Sequence, residues 1–244
     1  MIAMIRKAVI VAAGLSSRLY PLTLEQPKGL LSLNGEALLE RSIDILKRNG
    51  ITKIAVVVGY KKEQIIKSLG ADIDYIFNPF YRECNNMGSL WFASAFIDND
   101  PFLYLHGDIV YDESIIKNVL NSYRETQYDI DLVTDYGPVD EEAMKVKVNS
   151  DNCLIESNKQ IVQSESAGEW TGIAYIRNVN ALFNVIEGIM YTEGISYYDT
   201  HAFTKMVLNG YSVHCTPTKG QPWIEIDFLS DYEKAKEMFY DENL

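Results

Sequence analysis

A short loop near the N-terminus carries residues whose types and spacing could bind phosphate. The largely apolar run Lys7–Ala13 predicts a buried β-strand, and the small residues Gly14, Ser16 and Ser17 follow it where the chain must turn. Small side chains let backbone amides approach phosphate oxygens closely. Two cations come next, Arg18 and Lys28, ten residues apart. They can hold the same anion, so the stretch predicts a phosphate-binding loop.

The stretch from Val11 to Lys28 resembles the signature of the nucleoside-triphosphate transferases, enzymes that couple a nucleotide to a sugar phosphate or an alcohol phosphate. Their pattern is roughly A-A-G-x-G-[ST]-R-L-x-P-L-T-x-x-x-P-K. The chain departs from it at Ser16, where many members have glycine. Serine keeps the loop small but favours a less unusual backbone angle. The matching positions are Ala12, Ala13, Gly14, Ser17, Arg18, Leu19, Pro21, Leu22, Thr23, Pro27 and Lys28.

The resemblance implies nucleotidyl transfer, in which an acceptor phosphate oxygen attacks the α-phosphorus of a triphosphate and pyrophosphate leaves. Charge builds up on the phosphoryl oxygens, so cations and amide donors must be in place beforehand. Arg18 and Lys28 are the predicted catalytic residues, with solvated surface cations as the alternative interpretation. The predicted nucleotide-binding residues of the loop are Ala12, Ala13, Gly14, Leu15, Ser16 and Ser17.

The resemblance also implies a Mg²⁺ site made by two aspartates. One family aspartate ends a central strand, and a second lies in an E-I-D sequence near the C-terminus. This chain has Asp108 after the predicted strand 101–106, and it has Asp227 in Glu225-Ile226-Asp227. Carboxylate oxygens suit Mg²⁺. Both aspartates could instead cap helices, and Glu225 could equally be structural.

The composition and charge of the chain limit the kinds of binding partner and the compartment that we expect for it. The 244 residues carry a net charge of −12, which argues against nucleic acid. Residues 1–67 have a net charge of +6 and residues 68–244 one of −18, which suits a triphosphate near the N-terminal part or reflects a random surface asymmetry. No apolar run is long enough for a membrane span, and the N-terminus does not resemble a signal peptide. The three scattered cysteines fit a reducing cytoplasm and have no zinc spacing.

The order of elements predicts an α/β fold: a Rossmann-like, mixed and mostly parallel sheet with helices on both faces. Apolar strands alternate with amphipathic helices up to about residue 128, and short strands with polar turns follow from 129. We expect one domain over 1–244, with a nucleotide-binding half at about 1–128 and a β-rich acceptor-binding half at about 129–244. The predicted strands are 7–13, 51–59, 71–77, 101–106, 130–136, 144–148, 153–157, 172–176 and 211–216, and the predicted helices are 35–49, 61–69, 88–96, 181–191, 200–209 and 229–240.

Later segments narrow the resemblance to the phosphocholine and 2-aminoethylphosphonate cytidylyltransferases. They are Asn78–Tyr81, Asn85–Leu90, Met144–Val148, Gly168–Ile173 and Glu225–Asp227. The implied reaction joins CTP to a small phosphorylated or phosphonylated amine, giving a CDP-linked product and pyrophosphate. Two alternatives remain: a sugar-1-phosphate nucleotidyltransferase using CTP, UTP or dTTP, and a non-catalytic regulatory homologue. A D-x-D glycosyltransferase and a nicotinamide enzyme are disfavoured, and the oligomeric state stays open.

Two groups of residues are the predicted specificity elements. Asn85, Asn86 and Ser89 offer the donors and acceptors that a cytosine edge needs, or else form a turn and a helix cap. Acidic and aromatic residues of the acceptor half could hold a cationic amine, or else be ordinary packing residues. The predicted acceptor-binding residues are Glu169, Trp170, Tyr198 and Asp199. The three histidines form no triad with a cysteine or serine, and no role is assigned to His106.

Overall fold

The computed structural model describes residues 5–240. Its strands are β1 (Lys7–Ala12), β2 (Ser32–Leu33), β3 (Glu36–Ala37), β4 (Lys53–Val58), β5 (Asp74–Phe77), β6 (Phe102–His106), β7 (Ile109–Tyr111), β8 (Ile130–Tyr136), β9 (Lys145–Val148), β10 (Leu154–Asn158), β11 (Gly168–Ile176), β12 (Val213–Pro217) and β13 (Trp223–Glu225). Its α-helices are α1 (Leu22–Glu25), α2 (Leu38–Arg48), α3 (Lys62–Leu69), α4 (Asn86–Phe92), α5 (Ser94–Ile97), α6 (Glu113–Glu125), α7 (Val179–Thr192), α8 (Asp199–Leu208) and α9 (Leu229–Met238).

One large sheet runs through the chain in the order β10-β9-β11-β6-β1-β4-β5, with β8 paired to β11 and β12 to β8. Strands β6, β1, β4 and β5 are parallel, whereas β11 is antiparallel to β6. The chain runs outward from β1 to β4 and β5, then returns to place β6 on the other side of β1. The crevice at the carboxyl ends of β1 and β6 is therefore the switch point where open α/β sheets bind ligands.

The sheet is covered on both faces, as continuous apolar strands require. Alternate residues of β1 enter two different cores: Val9 packs with α4 and α7, and Ile10 packs with α2 and α6. A third, smaller core joins Leu19 and Leu31 of the signature region to Ile226 and Tyr232 near the C-terminus. The predicted mixed, mostly parallel α/β fold is confirmed. Within residues 5–240, no helix is long and apolar enough to cross a membrane.

Two small sheets beside the crevice were not predicted. Strand β13 pairs with β7, with Glu225 opposite Ile109, and β2 pairs with β3. These strands have only two or three residues each, too few for a periodic pattern. Strand β11 is also longer than the predicted 172–176. It begins at Gly168 and contains a register shift between Trp170 and Ala174 against β8.

Candidate active site

The signature loop leaves the end of β1 and turns over the crevice. Ser16 takes a left-handed conformation (φ 52°) at the position where the family pattern has glycine. Its carbonyl accepts hydrogen bonds from the Leu19 amide (3.1 Å) and the Thr23 hydroxyl (2.8 Å). Within residues 5–240, the amides of Gly14, Leu15 and Ser16 have no protein acceptor. These amides remain free to donate to an anion.

Lys28 lies at the centre of the candidate site. Its side chain is 9% exposed, and its ammonium is 3.0 Å from Asp108 Oδ2 and 3.0 Å from Asp227 Oδ1. The other Asp227 oxygen is 2.9 Å from a guanidinium nitrogen of Arg18. The structure thus brings together all four residues predicted to act on phosphate or metal.

A backbone contact places the two aspartates side by side. The Ile226 amide donates to the Asp108 carbonyl (3.0 Å), which extends the pairing of β13 with β7. Neither aspartate caps a helix. Asp112 caps α6, whereas α9 begins after Phe228, so the capping interpretation does not apply. The unpredicted small sheet is therefore the element that joins residues 119 positions apart.

The charged side chains of this group shift one another's pKa values. Burial alone would lower the pKa of Lys28, but the two carboxylates outweigh it and raise that pKa above its ordinary value. Burial opposes ionisation of Asp108, yet Lys28 and His106 bring its pKa below the usual range. Burial, Asp108 and Asp227 together raise the pKa of Glu225 to about 7. The site therefore keeps its central cation and its central carboxylate charged near neutral pH.

The carboxylates fit a hard divalent cation. Among the described residues, Asp108 Oδ1 is buried without a hydrogen-bond partner, which costs free energy unless a ligand fills the position. Oxygen ligands of this kind suit Mg²⁺. His106, Asp108 and Glu225 also bring ligand atoms within 4.8 Å of one another, so Glu225 is a further acidic group at this position.

Two adjoining cavities meet at this group. The first lies along β1, α4 and the end of β6, and its wall includes Tyr81, Asn85 and Ser89. The second opens toward the acceptor half, and its wall includes Glu142, Lys159 and Tyr198. Residues shared by both walls are Gly14, Ser16, Lys28, Asn85, Asn86, His106 and Asp108. Ligands in the two cavities would therefore meet between the loop amides and Lys28.

The predicted nucleotide-binding residues largely line the first cavity, although some already have other partners. Asn85 caps α4 by accepting from the Asn86 amide (2.9 Å), so its alternative role as a cap is observed. The Asn86 side-chain amide lies 3.2 Å from His106 Nε2, and the Ser89 hydroxyl accepts from Asn78 (3.0 Å). Leu15 lines neither cavity. Tyr81 was not named among the predicted site residues, and it packs so close to Gly59 that a Cβ on Gly59 would lie 2.6 Å from it.

The acceptor half differs most from expectation. Asp199 is 1% exposed, and its Oδ2 accepts from the Tyr104 hydroxyl (2.6 Å) and lies 2.8 Å from His106 Nε2. The direct contact of Asp199 with an acceptor amine stays a prediction, and the structure places this carboxylate against His106 and outside the lining of the second cavity. The contact between Asp199 and His106 could not be predicted from the sequence, because the two residues are 93 positions apart.

His106 is the residue that the sequence reasoning missed. Burial alone would lower its pKa, but Asp199 chiefly, with Asp108 and Glu225, raises the pKa to about 9. Gly172 lies against the ring at φ +80°, and a Cβ there would come within 3.1 Å of it. The absence of a side chain at Gly172 thus leaves room for the imidazole.

The other three predicted acceptor residues line two different cavities. Trp170 is 3% exposed, donates to the Ile173 carbonyl (2.9 Å) and contributes to the wall of the second cavity. Tyr198 lines the same cavity and is 39% exposed. Glu169 lies instead in a neighbouring acidic cavity, where burial first and nearby carboxylates second raise its pKa to about 7. Its Oε1 accepts from the Met144 amide (3.3 Å).

The chain is similar to several known proteins in sequence and in fold. The chain is 27% identical to the choline-phosphate cytidylyltransferase of Streptococcus pneumoniae, over 97% of this chain and 100% of that protein. It is 26% identical to the bifunctional protein GlmU of Methanococcus maripaludis, over 95% of this chain, but it spans only 54% of that longer protein. The solved inositol-1-phosphate CTP transferase from T. maritima has the same fold, with a TM-score of 0.81 at 24% identity, covering 98% of each chain.

A family match completes the comparison. Residues 8–159 match the MobA-like NTP transferase domain. The matched region contains the signature loop, Lys28 and Asp108, and it ends at the Lys159 position in the wall of the second cavity. Because the match covers more than half of the chain, this protein belongs to the MobA-like NTP transferase family.

Proposed function

We propose that this protein is a cytidylyltransferase that transfers CMP from CTP to a small phosphorylated or phosphonylated amine and releases pyrophosphate. The observation that carries the proposal is the pair of cavities that meet at Lys28, Asp108 and the free amides of the signature loop. A nucleotide in the first cavity and an acceptor in the second would bring their phosphates together there.

The chemistry exchanges one phosphoanhydride bond for another. An acceptor phosphate or phosphonate oxygen attacks the α-phosphorus of CTP. The new P–O bond forms as the bond to the β-phosphate oxygen breaks, and the electron pair leaves with pyrophosphate. Lys28 and Arg18 are the catalytic residues of the proposal, because each places a positive charge beside the phosphoryl oxygens. The amides of Gly14 and Ser16 add donors to the same oxygens.

A Mg²⁺ ion would be held by Asp108 and Asp227, with Glu225 beside them. When bound, the ion supplies positive charge against the phosphate oxygens of the nucleotide. Asp108 Oδ1 supports this assignment, because it is buried and has no hydrogen-bond partner among the described residues. The hydrogen bond between the Ile226 amide and the Asp108 carbonyl keeps the two aspartates together.

The preference for cytosine is supported by the first cavity and by a named relative. Asn86 and Tyr81 line this cavity. A side-chain amide offers both a donor and an acceptor, so it can distinguish the donors and acceptors of a base edge. The similarity to the choline-phosphate cytidylyltransferase supports the same nucleotide.

The amine preference is supported by the wall of the second cavity. Glu142 and Glu225 bring carboxylates to it, and Trp170 and Tyr198 bring aromatic rings. A primary amine would form charge-assisted hydrogen bonds with the carboxylates, whereas a quaternary ammonium would contact the rings. Glu169 lies in the neighbouring acidic cavity and would act on the amine only at longer range.

A screen of pyrophosphate release tests the function. Four nucleotides (CTP, UTP, dTTP and ATP) would be combined with phosphocholine, 2-aminoethylphosphonate and glucose 1-phosphate. We expect release with CTP and an amine acceptor to exceed every other combination. Preference for UTP or dTTP with every acceptor would contradict the cytidine assignment. Preference for glucose 1-phosphate would contradict the amine assignment.

A sugar-1-phosphate nucleotidyltransferase is the second candidate function. One contact favours it: the Lys159 ammonium lies 5.9 Å from the centre of the Tyr198 ring, so this aromatic face already has a cation from the chain itself. The acceptor arms of the screen separate the two candidates.

A further inference from the structure

A buried lysine in the acceptor half connects two segments of the second cavity's wall. Lys145, in β9, is 2% exposed. Its ammonium donates to the backbone carbonyls of Glu141 (2.9 Å) and Lys159 (3.0 Å), with Ala143 at 3.5 Å. The first and third of these carbonyls flank Glu142, and the second belongs to the residue after β10.

Both connected segments carry side chains of the cavity wall. Glu142 and Lys159 line the second cavity, and Glu142 Oε2 is 3.4 Å from the Lys159 ammonium. The same oxygen lies 3.7 Å from Arg18 of the signature loop. The segment that Lys145 holds therefore reaches across the cavity to the catalytic loop.

We propose that Lys145 is a positioning residue for acceptor binding. It fixes residues 141–143 and Lys159 relative to each other, so that Glu142 and Lys159 present their charges to the acceptor as a preformed wall. The proposal rests on the proposed function, because the second cavity is assigned to the acceptor there.

The chemistry of a lysine suits this task. An ammonium has three donors that rotate freely, so it can serve carbonyls that point from two different segments. Hydrogen bonds to a charged group are stronger than those between neutral groups. Removing the ammonium would leave buried carbonyls unpaired, and the two segments would lose their common partner.

Lys147 provides a matched control. It lies two positions further along β9, on the same face of the strand. Its ammonium forms an ion pair with Glu165 and has no part in the cavity wall as described. Such exposed pairs contribute little to stability. Lys147→Met therefore makes the same chemical change on the same strand without releasing the wall.

Steady-state kinetics would compare Lys145→Met, Lys147→Met and the wild type. For Lys145→Met we expect the KM for the acceptor to rise by about tenfold or more, which corresponds to about 1.4 kcal/mol of binding free energy. The KM for CTP should change by less than about twofold, because the first cavity does not include this wall. Lys147→Met should match the wild type in both. Equal changes in both KM values, or an unchanged acceptor KM, would overturn the proposal.

A second measurement needs neither acceptor nor catalysis. Backbone ¹⁵N relaxation would report the order parameters of residues 140–144, where about 0.85 marks rigid backbone and values below about 0.6 mark flexible backbone. We expect the wild type and Lys147→Met to be rigid there, and Lys145→Met to be flexible. A flexible segment in the wild type would overturn the proposal, even if Lys145→Met does not fold. If the segment is rigid but no acceptor is turned over, the proposed function fails instead.

Discussion

Replacing Lys28 with methionine is the most informative single change, because Lys28 contacts both aspartates of the site. Methionine keeps much of the side-chain volume and removes only the charge and its donors. We expect turnover to fall about 10²–10³-fold, which corresponds to about 2.7–4 kcal/mol of transition-state stabilisation for one lost donor. The fold should persist, because the remaining apolar stem still packs beneath the site.

The effect on stability can be bounded from the exposure of the partners. Breaking a fully buried ion pair costs about 3–5 kcal/mol. The Asp108 and Asp227 side chains are 26% and 22% exposed, so solvent screens part of their mutual repulsion once Lys28 is gone. We therefore expect the free energy of unfolding to fall by about 1–3 kcal/mol. That loss leaves a protein of ordinary stability folded at room temperature.

Pyrophosphate release under saturating substrates would measure turnover, and urea denaturation would measure stability. Lys67→Met is the matched control, since Lys67 is an exposed residue of α3 away from both cavities. It should keep wild-type turnover and stability. Near-normal turnover in folded Lys28→Met would refute the assignment of Lys28 as a catalytic cation.

Three further predictions follow from the site. Asp108→Asn and Asp227→Asn should each abolish turnover, and EDTA should do the same to the wild type until Mg²⁺ is restored. Glu169→Gln should stabilise the protein at pH 8 but not at pH 4. The folded-state pKa of Glu169, about 7, lies above its unfolded value, so wild-type stability is lost as pH rises from about 4.5 to 7, by about 1–3 kcal/mol. Gly172→Ala should lower stability by about 1–2 kcal/mol and reduce turnover, because the new Cβ needs a left-handed backbone and presses on His106.

Each of these three predictions has a result that would contradict it. Full activity in EDTA-treated protein would remove the metal from the account. A stability difference between Glu169→Gln and wild type that is the same at pH 4 and pH 8 would show that the Glu169 carboxyl is not perturbed. Gly137→Ala should change little, since a Cβ there would meet nothing within 4 Å. If Gly172→Ala has the same turnover and stability as Gly137→Ala, the close packing of Gly172 against His106 contributes to neither.

The parallel half of the fold could be predicted because its signals are local. Strands such as β4 contain continuous apolar runs, here 54–58, and α2 shows apolar residues at helical spacing. The signature loop could be predicted for the same reason, since its residues are consecutive. The sequence also predicted that Asp108 and Asp227 would share a site, although only through resemblance to a family.

The remaining features depend on contacts between distant residues. His106 looked like an ordinary strand residue, because its partner Asp199 begins a helix far along the chain. Asp199 looked like an exposed acidic residue in an aromatic run, yet a buried hydroxyl and imidazole stabilise it as a buried carboxylate. The contacts of the Lys145 ammonium could not be predicted either, because the carbonyls that it binds belong to residues outside regular helices and strands.

The most direct test of the central claim is to follow an isotope through the reaction. The protein would be incubated with CTP, Mg²⁺ and phosphocholine or 2-aminoethylphosphonate labelled with ¹⁸O on its phosphorus oxygens, and the products would be weighed by mass spectrometry. Attack by the acceptor oxygen on the α-phosphorus predicts a CDP-linked product (for the phosphonate, its CMP-linked equivalent) that retains every ¹⁸O atom, and pyrophosphate that contains none. Label in the pyrophosphate, or no nucleotide-linked product from either acceptor while glucose 1-phosphate gives a nucleotide sugar, would contradict the account.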